Sequence, residues 1–373
     1  MIKANSHTVF ISFGSNKGNR LDYIIQSLKE LEVQVGRIEV VSSLYKTKSW
    51  GFESRDFYNG CVVLKTNYSS DVVLKKILSI EDSLGRLRSE SEEYTSREID
   101  LDLLFFDELI LDSDHLIIPH PQIQNRNFVL IPMLDISPNF VHPKINEPIE
   151  NLLKKSNDNS EVKKIKNNNY YIPFWNRYSF ISIEGNIGVG KTTLSNVFKS
   201  HFQIQSLNEN YNKNPYLKEF YSNPSDFSLK VENFFLNERI SQIKKHFLIS
   251  KKRKTVSDFW IGKSLVFAKN NLNKKLFEKY NENFKKLNHG LRIPEIIIFL
   301  KQDIYQLKKQ ILERGRSFEK EISEDYLNSI SKKYELIFDG KQNFFLIVLN
   351  PEEVISLKEK KGQEYLFRKL INY

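Results

Sequence analysis

Apolar and polar positions along this chain follow two rhythms, and they change character near its middle. Thr8 to Phe13 is a short apolar run closed by Gly14-Ser15-Asn16, and a three- and four-residue spacing then predicts a helix from about Arg20 to Leu31. Ile38 to Tyr45 and Asn59 to Thr66 read as strands on either side of a loop rich in polar and aromatic residues. Ser70 is expected to cap a helix reaching about Leu84. A polar loop, Ser89 to Ser96, leads into a strand from Ile99 to Phe105. Leu153 to Asn169 is rich in Lys, Asn and Ser with little periodicity, as a linker would be. Beyond it, an apolar strand begins at Phe180, and Phe202 to Leu207 is strand-like. Ser225 to Phe247 and Lys263 to Leu287 carry helical spacing, while Pro294 to Leu300 and Phe344 to Leu349 have the continuous apolar character of buried parallel strands.

The first half thus has the order β-α-β-β-α-β, that of a ferredoxin-like α+β unit. The second alternates strands with helices, which predicts an α/β unit with a parallel sheet flanked by helices. Expected boundaries are 1–155 for the first domain, 156–174 for the linker and 175–373 for the second. A length of 373 residues suits two domains, each with its own core.

Composition narrows the classes. No apolar run approaches membrane-spanning length, and the first twenty residues lack the apolar stretch of a signal peptide, so a cytoplasmic protein with no membrane partner is expected. A single cysteine, Cys61, excludes an internal disulfide and a cysteine-based metal cluster. The net charge of +10 invites a nucleic-acid reading, but the excess lysine is spread over the whole chain and no nucleic-acid-binding signature accompanies it. No nucleic-acid partner is expected.

Two stretches carry chemistry. The strand from Phe180 runs into Gly185-Asn186-Ile187-Gly188-Val189-Gly190-Lys191-Thr192-Thr193, the G-x4-G-K-[ST] phosphate loop with a helix behind it. Its glycines let backbone N–H groups turn toward phosphate oxygens; Lys191 adds a point charge and Thr192 a hydroxyl for Mg²⁺. In Asp100-Leu101-Asp102 the strand period places both carboxylates on one face, a costly arrangement unless a divalent cation lies between them.

The surroundings of that acidic pair are informative. Phe13-Gly-Ser-Asn16, the segment from Ser43 through Thr47 and Gly51 to Asp56-Phe-Tyr-Asn59, Ile80 to Arg88, Ser96 to Leu104 and Ile118 to Leu130 occur in order. Together they resemble the 6-hydroxymethyl-7,8-dihydropterin pyrophosphokinase family over roughly residues 7 to 155. That resemblance implies transfer of the β,γ-pyrophosphoryl group of ATP to the hydroxymethyl oxygen of the pterin, with release of AMP. Asp100 and Asp102 match aspartates that hold two Mg²⁺ ions. Arg86 and Arg97 match phosphate-clamping arginines, His120 and Arg126 residues along the ATP chain, and Glu81 a glutamate near the nucleotide. Thr47, Phe57, Asn59 and Phe128 fall at pterin-binding positions, with Phe57 where many members have Tyr. The mobile loop, often Trp-Gly-Pro before its arginine, reads Tyr94-Thr-Ser here and is one residue longer.

In the second half, Glu209, the long-helix residues Phe234 to Arg239, and Arg314-Gly-Arg316 with Glu319 accompany the phosphate loop. This set resembles the deoxynucleoside kinase family over roughly residues 177 to 373, implying transfer of the γ-phosphate of ATP to the 5′-hydroxyl of a deoxynucleoside. Glu209 would be the general base, Arg314 and Arg316 a lid over the phosphates, Glu319 a contact to the sugar 3′-hydroxyl, and Arg239 a group near the 5′ end. The departures lie elsewhere. Glu232 stands where most members carry the Gln that grips the base. Asp258 survives from an Asp/Glu-Arg-Ser motif whose arginine is gone, leaving Lys263 to replace its charge. An upstream lid arginine is Gln310. One Mg²⁺ is expected at this loop, ATP is the expected co-substrate of both halves, and the kinase half is expected to offer a homodimer face. A non-catalytic nucleotide-sensing or dimerisation module is the alternative for this half.

Overall fold

The computed structural model describes residues 6–49, 54–86, 96–165, 170–251, 253–319, 321–340 and 343–372. The chain forms two compact units. One comprises Met1–Arg177 with Ser200–Gln203 and Glu364–Tyr373; the other comprises Tyr178–Lys199 and Ile204–Gln363.

The first unit is α+β. Its main sheet runs, in spatial order, Val162–Lys164, Tyr45–Thr47, Phe57–Thr66, His7–Ser15 and Asp100–Phe106, with Arg37–Val41 also paired to Phe57–Thr66. Every pairing is antiparallel. Alternate residues of the strands face two separate cores. Leu101 and Leu103 join Ile24 and Leu28 of the helix Arg20–Gln34 and Ile77 of the helix Ser70–Ser83. Leu104 and Phe105, brought to one side by a bulge opposite Phe10 and Ile11, instead pack with Leu130 and Met133 of the helix Asn127–Ile136. Asp100 and Asp102 open the strand whose next residues divide in this way.

Three local expectations change. The run Ile38 to Tyr45 is two strands, Arg37–Val41 and Tyr45–Thr47, because Ser42, Ser43 and Leu44 stand opposite Gly60 and Cys61 and the extra residue breaks the regular pairing. Ser42 Oγ accepts from the Cys61 N–H at 2.9 Å, and the Ser43 N–H donates to Asp135 at 2.6 Å. The helix cap is Ser69, and Ser70 is a buried first-turn residue. The stretch read as a linker holds two regular elements among its described residues: Val162–Lys164 adds a strand to Tyr45–Thr47, and Phe174, at its end, is buried with Trp175 in the short helix Phe174–Arg177. Its tyrosines have work to do there, since Tyr171 donates to the buried Glu32 at 2.6 Å. Residues 89–95 of the polar loop, including Tyr94 and Thr95, lie outside the described residues.

The second unit is α/β. Five strands lie in the order Gln205–Leu207, Thr255–Ser257, Phe180–Gly185, Ile296–Leu300 and Phe345–Leu349, all parallel. Phe180–Gly185 and Ile296–Leu300 are wholly buried, which explains the unbroken apolar sequence of the second, while the first also buries Ser182 and Glu184. The strand expected from Phe202 begins only at Gln205, because the helix Lys191–Phe202 runs on to that phenylalanine and Gln203 turns with φ +53. The helix expected over Lys263 to Leu287 is two, Lys263–Asn271 and Lys274–Asn288; Asn273 accepts from the Leu276 N–H and starts the second. Among the described residues no helix is long and apolar enough to cross a membrane.

Candidate active sites

In the first unit a cleft of about 790 Å³ of open space is lined by residues from four of these strands and the loop before the helix Asn127–Ile136. Gly14 belongs there for a steric reason: a Cβ on it would lie 2.7 Å from Asn59 Oδ1. Asn59 is therefore pressed against the first strand, and its Nδ2 donates to Thr47 Oγ1 at 2.8 Å. Phe57 and Phe128 supply flat apolar surface in the same cleft, and His120 and Arg126 complete its polar edge.

The acidic pair sits within this lining. Asp100 is gripped by Arg86 at 2.6 Å and by Arg97 at 2.5 Å, while Asp102 lies 3.6 Å from Arg126. Burial and then the neighbouring Asp100 push the Asp102 carboxyl up to about 7, with Arg126 opposing them. Arg97 is itself placed by Asn16, whose Oδ1 accepts from its backbone N–H at 2.7 Å. Glu81 differs from expectation. It is 1% exposed, does not line the cleft, and spends its carboxylate on Arg86 and on the Leu101 N–H at 2.7 Å. Its geometry makes it a support for Arg86 and the strand. Ser12 and Lys48 line the cleft without having been singled out; Lys48 follows Thr47 directly, where a cation facing a phosphate site was the available signal.

The second unit has its own cleft at the end of its parallel sheet, also of about 790 Å³. Gly185, Gly188 and Gly190 all hold positive φ. Asn186 braces the loop from behind, donating to the Leu327 carbonyl at 2.6 Å, and Val189 is buried. Ile187, Gly188, Lys191 and Thr192 line the cleft; Thr193 is exposed beyond that lining. Lys191 donates to the Gly185 and Asn186 carbonyls at 2.8 Å each, and Thr192 donates to Asp258 at 2.5 Å. Gly188→Ala is expected to cost about 1–3 kcal/mol, since φ is +87 and the new Cβ would lie 2.7 Å from Ile311 Cγ1. Denaturant unfolding of the variant beside the parent chain measures it.

Glu209 lies between two cations. Arg239 reaches Oε1 at 2.6 Å, and Lys263 reaches Oε2 at 2.7 Å. Burial disfavours the charge, but Lys263 and Arg239 outweigh it and hold the carboxyl well below its usual range. Lys263, expected to replace the charge of the lost arginine, is thus brought to Glu209 by the fold. Glu319 pairs with both Arg314 and Arg316, and Arg316 lies over the Tyr211 ring at 3.5 Å. Glu232 and Asp258 line the same cleft. Tyr221 and Tyr326, which fall in the sequence motifs of this half, line it too, and Asn271 also lines it and was missed, because a helix was read straight through it.

Comparison with known proteins follows this division. The family described as 7,8-dihydro-6-hydroxymethylpterin-pyrophosphokinase matches residues 10–138, and the deoxynucleoside kinase family matches residues 181–371. The chain belongs to both families, joined end to end. Among its relatives, a 2-amino-4-hydroxy-6-hydroxymethyldihydropteridine pyrophosphokinase of Aquifex aeolicus is 36% identical over 39% of this chain and 94% of that protein. A deoxyguanosine kinase of Bacillus subtilis is 34% identical over 52% of this chain and 92% of that protein. A solved deoxyadenosine kinase from M. mycoides covers 52% of this chain and 98% of its own, at 22% identity and a TM-score of 0.45. The fusion is a pyrophosphokinase of the folate pathway followed by a nucleoside kinase.

Proposed function

We propose that the first cleft moves the β,γ-pyrophosphoryl group of ATP to the hydroxymethyl oxygen of 6-hydroxymethyl-7,8-dihydropterin, and that the second moves the ATP γ-phosphate to a deoxynucleoside 5′-hydroxyl. The strand order of the first unit supports the ferredoxin-like reading. In that unit Asn59 and Thr47 would fix the pterin edge between Phe57 and Phe128, and Arg97, His120 and Arg126 would order the phosphates. The donor set suits Mg²⁺: two carboxylates on one strand face, one of them pushed up by burial and then by the other. A hard cation with few protein ligands completes its shell with water and phosphate oxygens. When bound, Mg²⁺ at Asp100 and Asp102, and a further ion at Thr192, would neutralise charge on the phosphate chain.

In the second unit Lys191 and the loop amides would hold the phosphates, and Arg314 and Arg316 would close over them, releasing Glu319 toward the sugar. The observation that carries the kinase reading is Glu209, kept ionised by Arg239 and Lys263 in the cleft that contains the phosphate loop. A fixed carboxylate there can accept the hydrogen bond of an attacking hydroxyl and orient it.

The test is to incubate the full chain with Mg²⁺-ATP and either the pterin or each deoxynucleoside, following products by mass. AMP with pterin diphosphate is expected from the first unit and ADP with a nucleoside monophosphate from the second. Lys191→Ala should lower only the second product, by about 10²-fold. ATP binding without any monophosphate would turn the second unit into the nucleotide sensor.

A further inference from the structure

The lid of the second cleft rests on aromatic rings. The helix Ile304–Arg314 stops where Gly315 turns with φ +72, and the turn Ser317–Glu319 follows. Arg314, Arg316 and Glu319 all line the cleft. Arg316 has two partners of different kinds. Its Nη1 donates to Glu319 Oε1 at 3.1 Å, and its guanidinium carbon lies 3.5 Å from the centroid of the Tyr211 ring. That separation is van der Waals contact, and a planar guanidinium comes so near a ring by lying against its face. Phe318 adds to the seat: its ring centroid is 6.5 Å from that of Tyr211 and 6.1 Å from that of Tyr221. Tyr211 is half-buried and opens the short turn Tyr211–Lys213, two residues beyond Glu209. The ring under the lid cation is therefore carried by the same loop as the carboxylate proposed to orient the attacking hydroxyl.

The two partners hold Arg316 in ways that differ once phosphate arrives. A guanidinium keeps its N–H donors in its plane, pointing outward from its edge. Glu319 uses that edge, so it competes with phosphate for the same donors. The Tyr211 ring uses the face and leaves the edge open. When Glu319 turns to the sugar, the carboxylate contact is lost while the ring contact can persist. An arginine already held in one orientation gives up less freedom on meeting the transferring phosphate, and that saving appears in the rate. We infer that Tyr211 is a positioning residue for phosphoryl transfer, its ring fixing Arg316 face-on with its donor edge free for the phosphate. The inference rests on the nucleoside-kinase reading of this cleft and adds to it a residue that acts through the lid.

Tyr211 also lines the cleft, so its rival role is direct contact with the nucleoside. The two roles separate in kinetics. A ring that touches the nucleoside contributes to its binding whether or not Arg316 is present. A ring that orients Arg316 has nothing left to do once the guanidinium is gone. A double-substitution cycle over the contacting pair reads that difference directly.

The experiment measures kcat and nucleoside KM for the full chain with Mg²⁺-ATP and whichever deoxynucleoside it phosphorylates fastest. The parent chain, Tyr211→Leu, Arg316→Met and the double variant form the cycle, with Tyr211→Phe as the conservative replacement. Tyr211→Leu should lower kcat about tenfold, the size of one cation–ring contact, and leave nucleoside KM within about twofold. In the Arg316→Met chain the same substitution should change kcat by less than about twofold. Tyr211→Phe keeps the ring and should retain kcat within about twofold of the parent. Denaturant unfolding of each variant checks that the fold survives, and Tyr211→Gln replaces Tyr211→Leu in the cycle if the leucine variant unfolds early. An equal loss of kcat with and without Arg316, a raised nucleoside KM at unchanged kcat, or no loss in Tyr211→Leu overturns the positioning role and leaves the kinase reading intact. No monophosphate from any deoxynucleoside with the parent chain overturns both.

Discussion

Asp102→Asn should lower kcat/KM for pyrophosphoryl transfer by on the order of 10³-fold while leaving nucleoside phosphorylation unchanged. The substitution keeps shape and removes one charge from the acidic pair. Asp102 lines the cleft beside Asp100, and the ion pair it makes among the described residues is a loose one, 3.6 Å from Arg126. Asp100 is the poorer probe. It is bonded to both Arg86 and Arg97, so replacing it would leave two part-buried guanidinium groups short of a partner. Removing the charge of Asp102 instead relieves repulsion from Asp100, so Asp102→Asn should unfold at the same denaturant concentration as the parent chain or slightly above it. Initial rates of AMP release and of nucleoside monophosphate formation, taken on one preparation, read both effects. Equal loss of the two activities would indicate general damage. An unchanged AMP rate would remove the acidic pair from the chemistry.

Much of this was legible in the residues, for identifiable reasons. A strand's period of two puts the charges of Asp100-Leu101-Asp102 on one side, as a solvated edge also would, and the ordered motifs around the pair are what give it a chemical reading. The phosphate loop is legible because positive φ demands glycine at Gly188 and Gly190. Wholly buried strands such as Ile296–Leu300 show as unbroken apolar runs. Illegible were the features that tertiary partners decide. The Lys263 to Leu287 pattern continues across Leu272 and Asn273, and nothing in its periodicity reports that the Asn273 side chain starts a new helix. The polar composition of 156–174 suggested a free linker, although Tyr171 finds Glu32, and Phe174 and Trp175 find cover, within the first unit. Glu81 was placed near the nucleotide by its position in a motif, while its burial gives it to Arg86 and the Leu101 N–H. Lys263 could be suspected from charge alone, but only the fold brings it to Glu209.

Glu209→Gln is expected to lower kcat for nucleoside phosphorylation by about 10³-fold with KM for ATP nearly unchanged. The substituted amide cannot take up a proton and presents its NH₂ to one of the two cations that now hold the carboxylate. Lys263 and Arg239, with side chains 7% and 3% exposed, would then share one neutral acceptor. Breaking such a buried arrangement should cost about 3 kcal/mol of stability or more. Activity and stability therefore fall together in the single variant, and a second substitution separates them. Glu209→Gln with Lys263→Met removes the surplus cation beside Phe267, whose ring Lys263 already faces at 5.6 Å. Part of the lost stability should return because the remaining Arg239 keeps the amide oxygen and Ser264 Oγ as acceptors. The rate should not return, since no carboxylate remains to orient the hydroxyl. Recovery of rate along with stability would assign Glu209 to holding the two cations in place and would require another base for the transfer.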